Sequence, residues 1–301
     1  MTNKPSTIHI PIGTATASIL GSRTLNNDRV FATTDTVVIV DGAGEHVSAS
    51  NAAAAALGGA LLALARTAPG DPGRAEGTVR GASDAVIGLD GAGSTTITVV
   101  TLSGGAHITA HLAWLGDSPA FLLRQGQIQQ LTRPHNRAQE AAERHFIPYD
   151  HIQDSPLANQ LTRGLGAIAD GPAELLAVAL QPGDRVLAAS DGIFAIPLAN
   201  LGWALSQGDD SHTAAAAVIT AAAADHGTRD NTSVAVIVID APRTSATGTI
   251  SLELAGMADS PEDIPRWKPP ATATGRAGLF SRTPRRDNSA TDRKTGPLLG
   301  L

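Results

Sequence analysis

Three apolar runs in this chain each stop at an aspartate set beside a glycine or a serine. Val37-Val38-Ile39-Val40 leads into Asp41-Gly42, Leu112 to Leu115 into Gly116-Asp117-Ser118, and Val186 to Ala189 into Ser190-Asp191-Gly192. Short apolar or β-branched runs bounded by turn residues predict strands. Two more aspartates sit in Asn27-Asp28 and Asp230-Asn231. A fold that gathers strand ends from distant segments would bring such carboxylates together. Mg²⁺ and Mn²⁺ favour oxygen ligands in near-octahedral shells, so carboxylates plus water suit them.

The order of elements narrows the fold further. Residues 14–19 alternate like a strand, and strands are predicted at 30–32 and 36–40. Ser48 or Ser50 is the expected N-cap of an Ala/Leu-rich helix running to about Ala65. The stretch 66–91, rich in Gly, Asp and Pro, predicts a loop with at most a short helix. Strands are expected at 95–102, 107–115 and 120–124. Gly104-Gly105 turns between the first two, and Gln125-Gly126-Gln127 ends the third. A helix at 137–144 lies in a polar, irregular stretch. A buried strand at 185–189 follows the turn Pro182-Gly183-Asp184, where Asp184 reads as turn chemistry. An Ala-rich helix at 213–225, capped by Thr213 and stopped by Gly227, leads to a closing strand at 233–239. This order is not a βαβ series, so a parallel doubly wound sheet is disfavoured. The expected class is α+β, with two mostly antiparallel sheets stacked as a central sandwich and helices outside.

Composition removes several functions. Net charge is −6 and the pI is about 5.8, which argues against nucleic-acid binding. Residues 1–240 carry 13 Lys+Arg against 22 Asp+Glu, and residues 241–301 carry 9 against 6. Cysteine is absent, which excludes disulfides, thiolate zinc sites and a cysteine nucleophile, and fits a reducing compartment. Met1 to Ile10 shows no basic segment followed by a long apolar run. The longest apolar stretch, Ala52 to Ala65, is too short to span a bilayer. A cytoplasmic protein without a membrane span is expected. From Ala241 onward Pro, Gly, Thr and Arg dominate, so 1–240 is expected as the folded domain and 241–301 as a disordered basic tail. Residues 249–254 alternate weakly, as an added edge strand would.

The motifs together resemble the metal-dependent protein phosphatases, the type 2C class of serine/threonine phosphatases, in a bacterial form. The resemblance rests on Arg23-Thr24-Leu25-Asn26-Asn27-Asp28-Arg29, Val40-Asp41-Gly42-Ala43-Gly44, Gly93-Ser94-Thr95, Trp114-Leu115-Gly116-Asp117-Ser118, Gln130-Leu131-Thr132, Leu161 to Gly166, Leu180 to Arg185, Ser190-Asp191-Gly192 and Asp230-Asn231-Thr232, in that order over about residues 14–239. It implies αββα layers with the metal site at one end of the sandwich. It implies two Mg²⁺ or Mn²⁺ ions, and a third weaker one, that activate water against a phosphomonoester. Asp41 matches the bridging carboxylate, and Gly42 would give its carbonyl. Asp191 and Asp230 match ligands of one ion, Asp28 an acid that meets the metals through water, and Asp117 with Asp191 the pair for a third ion. Arg23 matches the arginine that clamps the substrate phosphate with its planar fork. Arg23 and Asp28 are thus the catalytic candidates. Phosphoserine and phosphothreonine proteins are the implied substrates, opposing a Ser/Thr kinase, and a monomer is expected.

The chain also departs from the family pattern. Asn27 stands where many members have Glu or Gln. Ala43 stands where eukaryotic members have a histidine acid, and His46 nearby is a candidate replacement, although a solvated loop histidine is the plainer reading. Glu45 replaces a glycine, Pro119 an arginine, Pro134 the aspartate of a Thr-x-Asp-His pattern, and Ala167 another aspartate. These changes keep open an alternative, a phosphatase-fold regulatory or binding module with weak or no catalysis. They also single out the substrate-facing flap as unusual.

Overall fold

A strand that is apolar on both faces needs a layer above it and a layer below. Most strands of this chain are of that kind. The computed structural model describes residues 12–44, 46–91, 93–104, 107–166, 168, 171–225 and 229–240. In chain order the elements are β1 (Ile12–Ile19), β2 (Arg29–Ala32), β3 (Thr36–Val40), β4 (Gly42–Ala43), α1 (Val47–Arg66), α2 (Arg74–Ile87), β5 (Ser94–Thr95), β6 (Ile97–Gly104), β7 (Ile108–Leu115), β8 (Ala120–Arg124) and β9 (Gln127–Gln130). Then follow α3 (Arg137–Glu143), β10 (Leu165–Gly166), β11 (Glu174–Leu180), β12 (Arg185–Ala189), α4 (Leu198–Leu205), α5 (Ser211–Asp225) and β13 (Thr232–Ile239). Short 3₁₀ turns occupy Tyr149–His151 and Asp191–Ala195.

One sheet has the order β1-β13-β12-β8-β9 and the other β11-β7-β6-β3-β2, with a small sheet β10-β5-β4 beside them. All pairings between these strands are antiparallel. Side chains alternate between the layers with the two-residue period of a strand. Val37 and Ile39 of β3 meet Ala235 and Ile237 of β13 and Val186 and Ala188 of β12 between the sheets. Val38 and Val40 face the other way, onto Ala53, Ala56 and Ala60 of α1 and Val79 and Ala82 of α2. Leu187 and Val236 of the second sheet pack outward on Leu201 of α4 and Val218 of α5. A one-residue slip would exchange these faces, so three cores together lock the register. The result is the expected αββα sandwich.

The sequence reading is wrong in places. Residues 74–87 form a full helix rather than a loop, because Ala75, Val79, Ala82 and Val86 recur at helical spacing and bury one stripe. Its glycines serve packing, not turning. A Cβ on Gly59 of α1 would lie 2.2 Å from the Gly81 carbonyl oxygen of α2, so the helices cross backbone to backbone. Gly59→Val is therefore expected to lower stability by about 1–3 kcal/mol, the usual cost of overpacking, read as a lower midpoint in urea unfolding. Neither Ser48 nor Ser50 caps α1. Its N-cap is His46, without a side-chain cap hydrogen bond, and the Ser50 hydroxyl accepts from Arg29 instead (2.8 Å). Thr213 does not cap α5 either: Asp210 accepts from the Thr213 N–H (2.9 Å) and hydroxyl (2.7 Å). Strands β9 and β11 and helix α4 were not anticipated.

At 20 residues and a mean hydropathy of 1.5, α1 is long and apolar enough to cross a membrane by those measures alone. That exceeds the stretch judged from sequence. Its Ala52, Ala56, Ala60 and Leu64 pack into the layer beneath, while Val47 and Leu62 stay exposed. The basic segment 241–301, its weak edge strand at 249–254, Glu45, Gly105, Ala167 and Gly227 lie outside the described residues.

Candidate functional site

Five turns meet at one end of the sandwich. β3, β7 and β12 end there, and β2 and β13 begin there. Asp41 follows β3 directly. Its carbonyl accepts from the Thr95 hydroxyl (2.7 Å) and the Thr96 N–H (2.8 Å), so the small sheet fixes the turn. A Cβ on Gly42 would lie 2.7 Å from the Ala49 carbonyl oxygen, so the first turn of α1 admits only glycine there. Asp191 opens the 3₁₀ turn after β12. The next residue, Gly192, would place a Cβ 2.2 Å from the Asn231 carbonyl oxygen. The turns before β13 and after β12 thus touch backbone to backbone.

Asp117 follows Gly116, whose φ of 111° is open to glycine and strained for other residues. His135 clamps that glycine from both sides. The Gly116 N–H donates to His135 Nδ1 (3.0 Å), and the His135 N–H donates to the Gly116 carbonyl (3.0 Å). With Nδ1 accepting, the ring proton sits on Nε2 and points at Glu174 Oε1 (2.9 Å). Burial pushes the His135 imidazole down, against the hydrogen bond to Glu174. Asn136 caps α3 by accepting from the Gln139 N–H (3.0 Å), and its amide donates to Asp117 Oδ2 (3.1 Å).

Asp28 is buried and accepts from the Ser190 hydroxyl (2.7 Å). Asp230 accepts from Arg23 Nη2 (2.7 Å), a pair on the rim with side chains 29% and 41% exposed. Asn231 positions the loop that carries Arg23. Its Oδ1 accepts from the Asn27 N–H (2.8 Å), and its Nδ2 donates to the carbonyls of Leu20 (2.8 Å) and Leu25 (3.0 Å). Asn27 donates to the Gly44 carbonyl (2.8 Å), tying this loop to the turn after β4. His46 is exposed at the start of α1, as a solvated loop histidine is.

These residues border a cleft of about 520 Å³, whose walls include Arg23, Asp117, Asn136, Asp191, Arg229 and Asp230. An adjoining pocket of about 150 Å³ is walled by Arg23, Gly42 and Asp230 among others. Asp28 and Asp41 are in the walls of neither cavity. They belong to the same cluster, because the Asp41 carboxyl feels the charges of Asp28, Asp191, Asp117 and Asp230. The structure therefore brings all seven expected site residues to one place, with Asp41 central. Sequence reasoning assigned no role to Ser190, Asn231, Asn136 or His135. The first two lie inside its own motifs, and the last two follow Thr132, so adjacency was the available signal.

The cluster is short of positive charge. Burial, then the charges of Asp28, Asp191, Asp117 and Asp230, push the Asp41 carboxyl well above the usual range. Burial and the Asp117, Asp230 and Asp28 charges push Asp191 up to about 8. Burial raises Asp117 to about 6 against the hydrogen bond from Asn136, and it raises Asp28 as well. An all-oxygen donor set with raised carboxyls is what a hard divalent cation relieves. The carboxylates do not form a closed cage, since among the described residues no group of three or more His, Cys, Asp or Glu side chains stands ready to hold an ion. Water and backbone oxygen would complete such a shell, as magnesium commonly requires.

The folded state holds a proton on Asp191 up to about 8, whereas the unfolded chain releases it near 3.8. Between these values the unfolded chain binds fewer protons, so the metal-free protein loses stability as pH rises through that window. Thermal melts in EDTA are expected to fall from pH 5 to pH 8, and saturating Mn²⁺ at pH 8 is expected to restore the loss.

No family model matches the chain. The PPM Ser-Thr phosphatase MsPP from Mycobacterium smegmatis, solved in complex with cacodylate, is 30% identical, with a TM-score of 0.63 over 75% of this chain and 97% of that one. The catalytic domain of the serine/threonine phosphatase PstP, solved with two manganese ions, has a TM-score of 0.66 at 24% identity, over 76% and 99% of the two chains, and supports the fold. Full-length PstP from Mycobacterium tuberculosis is 27% identical over 183 residues, 57% of this chain and 34% of that protein. The match thus spans about a third of that curated relative. Identity of 30% across nearly all of a solved phosphatase, on the same two-sheet sandwich, places this chain in the PPM family of metal-dependent serine/threonine phosphatases.

Proposed function

We propose that this protein hydrolyses phosphoserine and phosphothreonine in proteins, with water as the nucleophile, at a two-ion Mg²⁺ or Mn²⁺ centre. The observation that carries the reading is the convergence of Asp28, Asp41, Asp117, Asp191 and Asp230 on one cleft end with Arg23 at its rim. Bound divalent cations supply the positive charge that offsets a dianionic phosphate and lowers the pKa of water. Asp41 and Asp191 would hold the ions, with Asp230 and the Gly42 carbonyl as further oxygen donors. Asp117, oriented by Asn136, would serve a further ion. Asp28, held by Ser190, would meet the ions through water. Arg23 stands on the rim with Asp230 and offers its fork to the phosphate oxygens. Phosphoproteins made by Ser/Thr kinases fit the family and the names of the relatives.

Hydrolysis of p-nitrophenyl phosphate tests the reading. Turnover is expected in Mn²⁺ and is expected to vanish in EDTA. Folded protein without turnover in Mn²⁺ would favour the binding-module alternative, which the altered loop at Ala43 motivates.

A further inference from the structure

The cleft continues past the acids. The 3₁₀ turn Asp191–Ala195 has two faces: Asp191 and Gly192 line the acid cleft, while Ile193 lines a second cavity of about 890 Å³. Phe194 and Gln153 border both cavities. The Phe194 ring is held edge-on against Phe121, with centroids 6.3 Å apart. Ile128, Leu198 and Leu201 form an apolar wall. Among the described residues no lysine or arginine lines this cavity, and the charged ones that do are Asp150 and Asp154, both exposed. The acid cleft, by contrast, carries Arg23 and Arg229. Gln139 is buried in the wall and donates to Glu143 (3.0 Å), but its Oε1 has no hydrogen-bond partner among the described residues. A buried acceptor left unmade costs stability.

Resting on the phosphatase reading above, we infer that this cavity is a specificity subsite for the substrate segment beside the phosphoresidue. It selects a bulky apolar side chain followed by a lysine or arginine. The span fits. A 3₁₀ turn rises about 2 Å per residue, so Phe194 lies roughly 6 Å along the turn from Asp191. An extended peptide covers about 3.3 Å per residue, so the apolar side chain sits about two positions from the phosphoresidue. The basic side chain meets Asp150 and Asp154, and the phosphate stays with Arg23 at the cleft.

The test uses phosphothreonine peptides with Leu-Arg or Asp-Glu starting two positions after the phosphoresidue, and the reversed pairs, Arg-Leu or Glu-Asp, ending two positions before it, so that the apolar residue is second from the phosphoresidue in both placements. p-Nitrophenyl phosphate, which reaches the acid cleft alone, is the control. For one placement, Leu-Arg is expected to exceed Asp-Glu in kcat/KM by about tenfold, the effect of burying one leucine side chain. Leu198→Asp, at a half-exposed position that opens α4, should erase most of that preference and leave the control unchanged. Asp154→Lys on the exposed rim should lower the preference for arginine and decides the matter if Leu198→Asp does not fold. Equal rates for both compositions in both placements, with the control hydrolysed, would overturn the subsite. If nothing is hydrolysed, the phosphatase reading fails and fluorescence anisotropy with the same labelled peptides judges the subsite. Tighter binding of Leu-Arg that Leu198→Asp or Asp154→Lys removes supports it, and equal binding overturns it.

Discussion

Asp191→Asn and Asp41→Asn are each expected to lower phosphomonoester hydrolysis by about 10³-fold or more, the scale of several kcal/mol of charge stabilisation. The same variants are expected to leave the metal-free fold intact or to strengthen it at pH 8. The two effects share one cause. Asp41 feels the charges of Asp28, Asp191, Asp117 and Asp230, and Asp191 those of Asp117, Asp230 and Asp28. Asparagine keeps the shape and removes a charge that the folded state must hold. In the absence of cations that relieves repulsion; in their presence it would remove a proposed ligand. Turnover is measured with p-nitrophenyl phosphate in saturating Mn²⁺, and stability by melting in EDTA. Wild-type-like turnover by Asp191→Asn would contradict the proposed chemistry. A collapsed melt in EDTA would mean that the carboxylate holds the fold rather than the ions.

The second large effect lies away from the cleft and concerns stability alone. Arg124 and Asp184 form a buried bidentate pair, with side chains 1% and 2% exposed. Arg124 Nε donates to Asp184 Oδ1 (2.8 Å), and its Nη2 donates to Asp184 Oδ2 and to the Ala179 carbonyl (2.8 Å). Asp184 also accepts from the Gln181 N–H (2.7 Å), so the pair ties the end of β8 to the turn between β11 and β12. Asp184→Ala leaves a buried guanidinium without its partner, and such losses cost about 3–5 kcal/mol. For a domain of this size the melting temperature is expected to fall by roughly 10 °C. Replacing both partners, as Arg124→Met with Asp184→Leu, is expected to recover most of the loss, because well-packed apolar residues often match a buried ion pair. Turnover per folded molecule should be unchanged in the double variant. A double variant as unstable as Asp184→Ala would show that the backbone hydrogen bonds at Ala179 and Gln181 matter more than the charge.

Much of this was legible in the residues. Buried strands such as β8 and β12 have short apolar runs, turn residues at their ends and nothing competing, so local pattern and tertiary need agree. The strand-end aspartates were legible for the same reason, since a carboxylate beside glycine after an apolar run is a poor core residue and a good ligand. Helix α2 was legible only in part. Ala75, Val79, Ala82 and Val86 keep helical spacing, but Gly77, Gly81 and the preceding Asp71-Pro72 read locally as a loop, and only the close approach of Gly59 and Gly81 shows why small residues are required there. Asp184 looked like turn chemistry and is a turn residue, yet its partner Arg124 lies 60 positions away and no local pattern marks it.

The order of strands, the strand-end acids and the absence of cysteine are properties of the sequence by itself, because each follows from local side-chain chemistry. They sufficed for a two-sheet sandwich and for the expectation of an oxygen-rich cation site. Only the tertiary structure decided that Asp41 sits at the centre of the cluster, that Ser190, Asn136 and Asn231 hold the acids and the Arg23 loop, and that an apolar cavity opens behind Phe194. Those features depend on contacts between segments up to 211 residues apart. Such contacts exist only after loop closure and packing have placed the elements, and no periodicity along one segment encodes them.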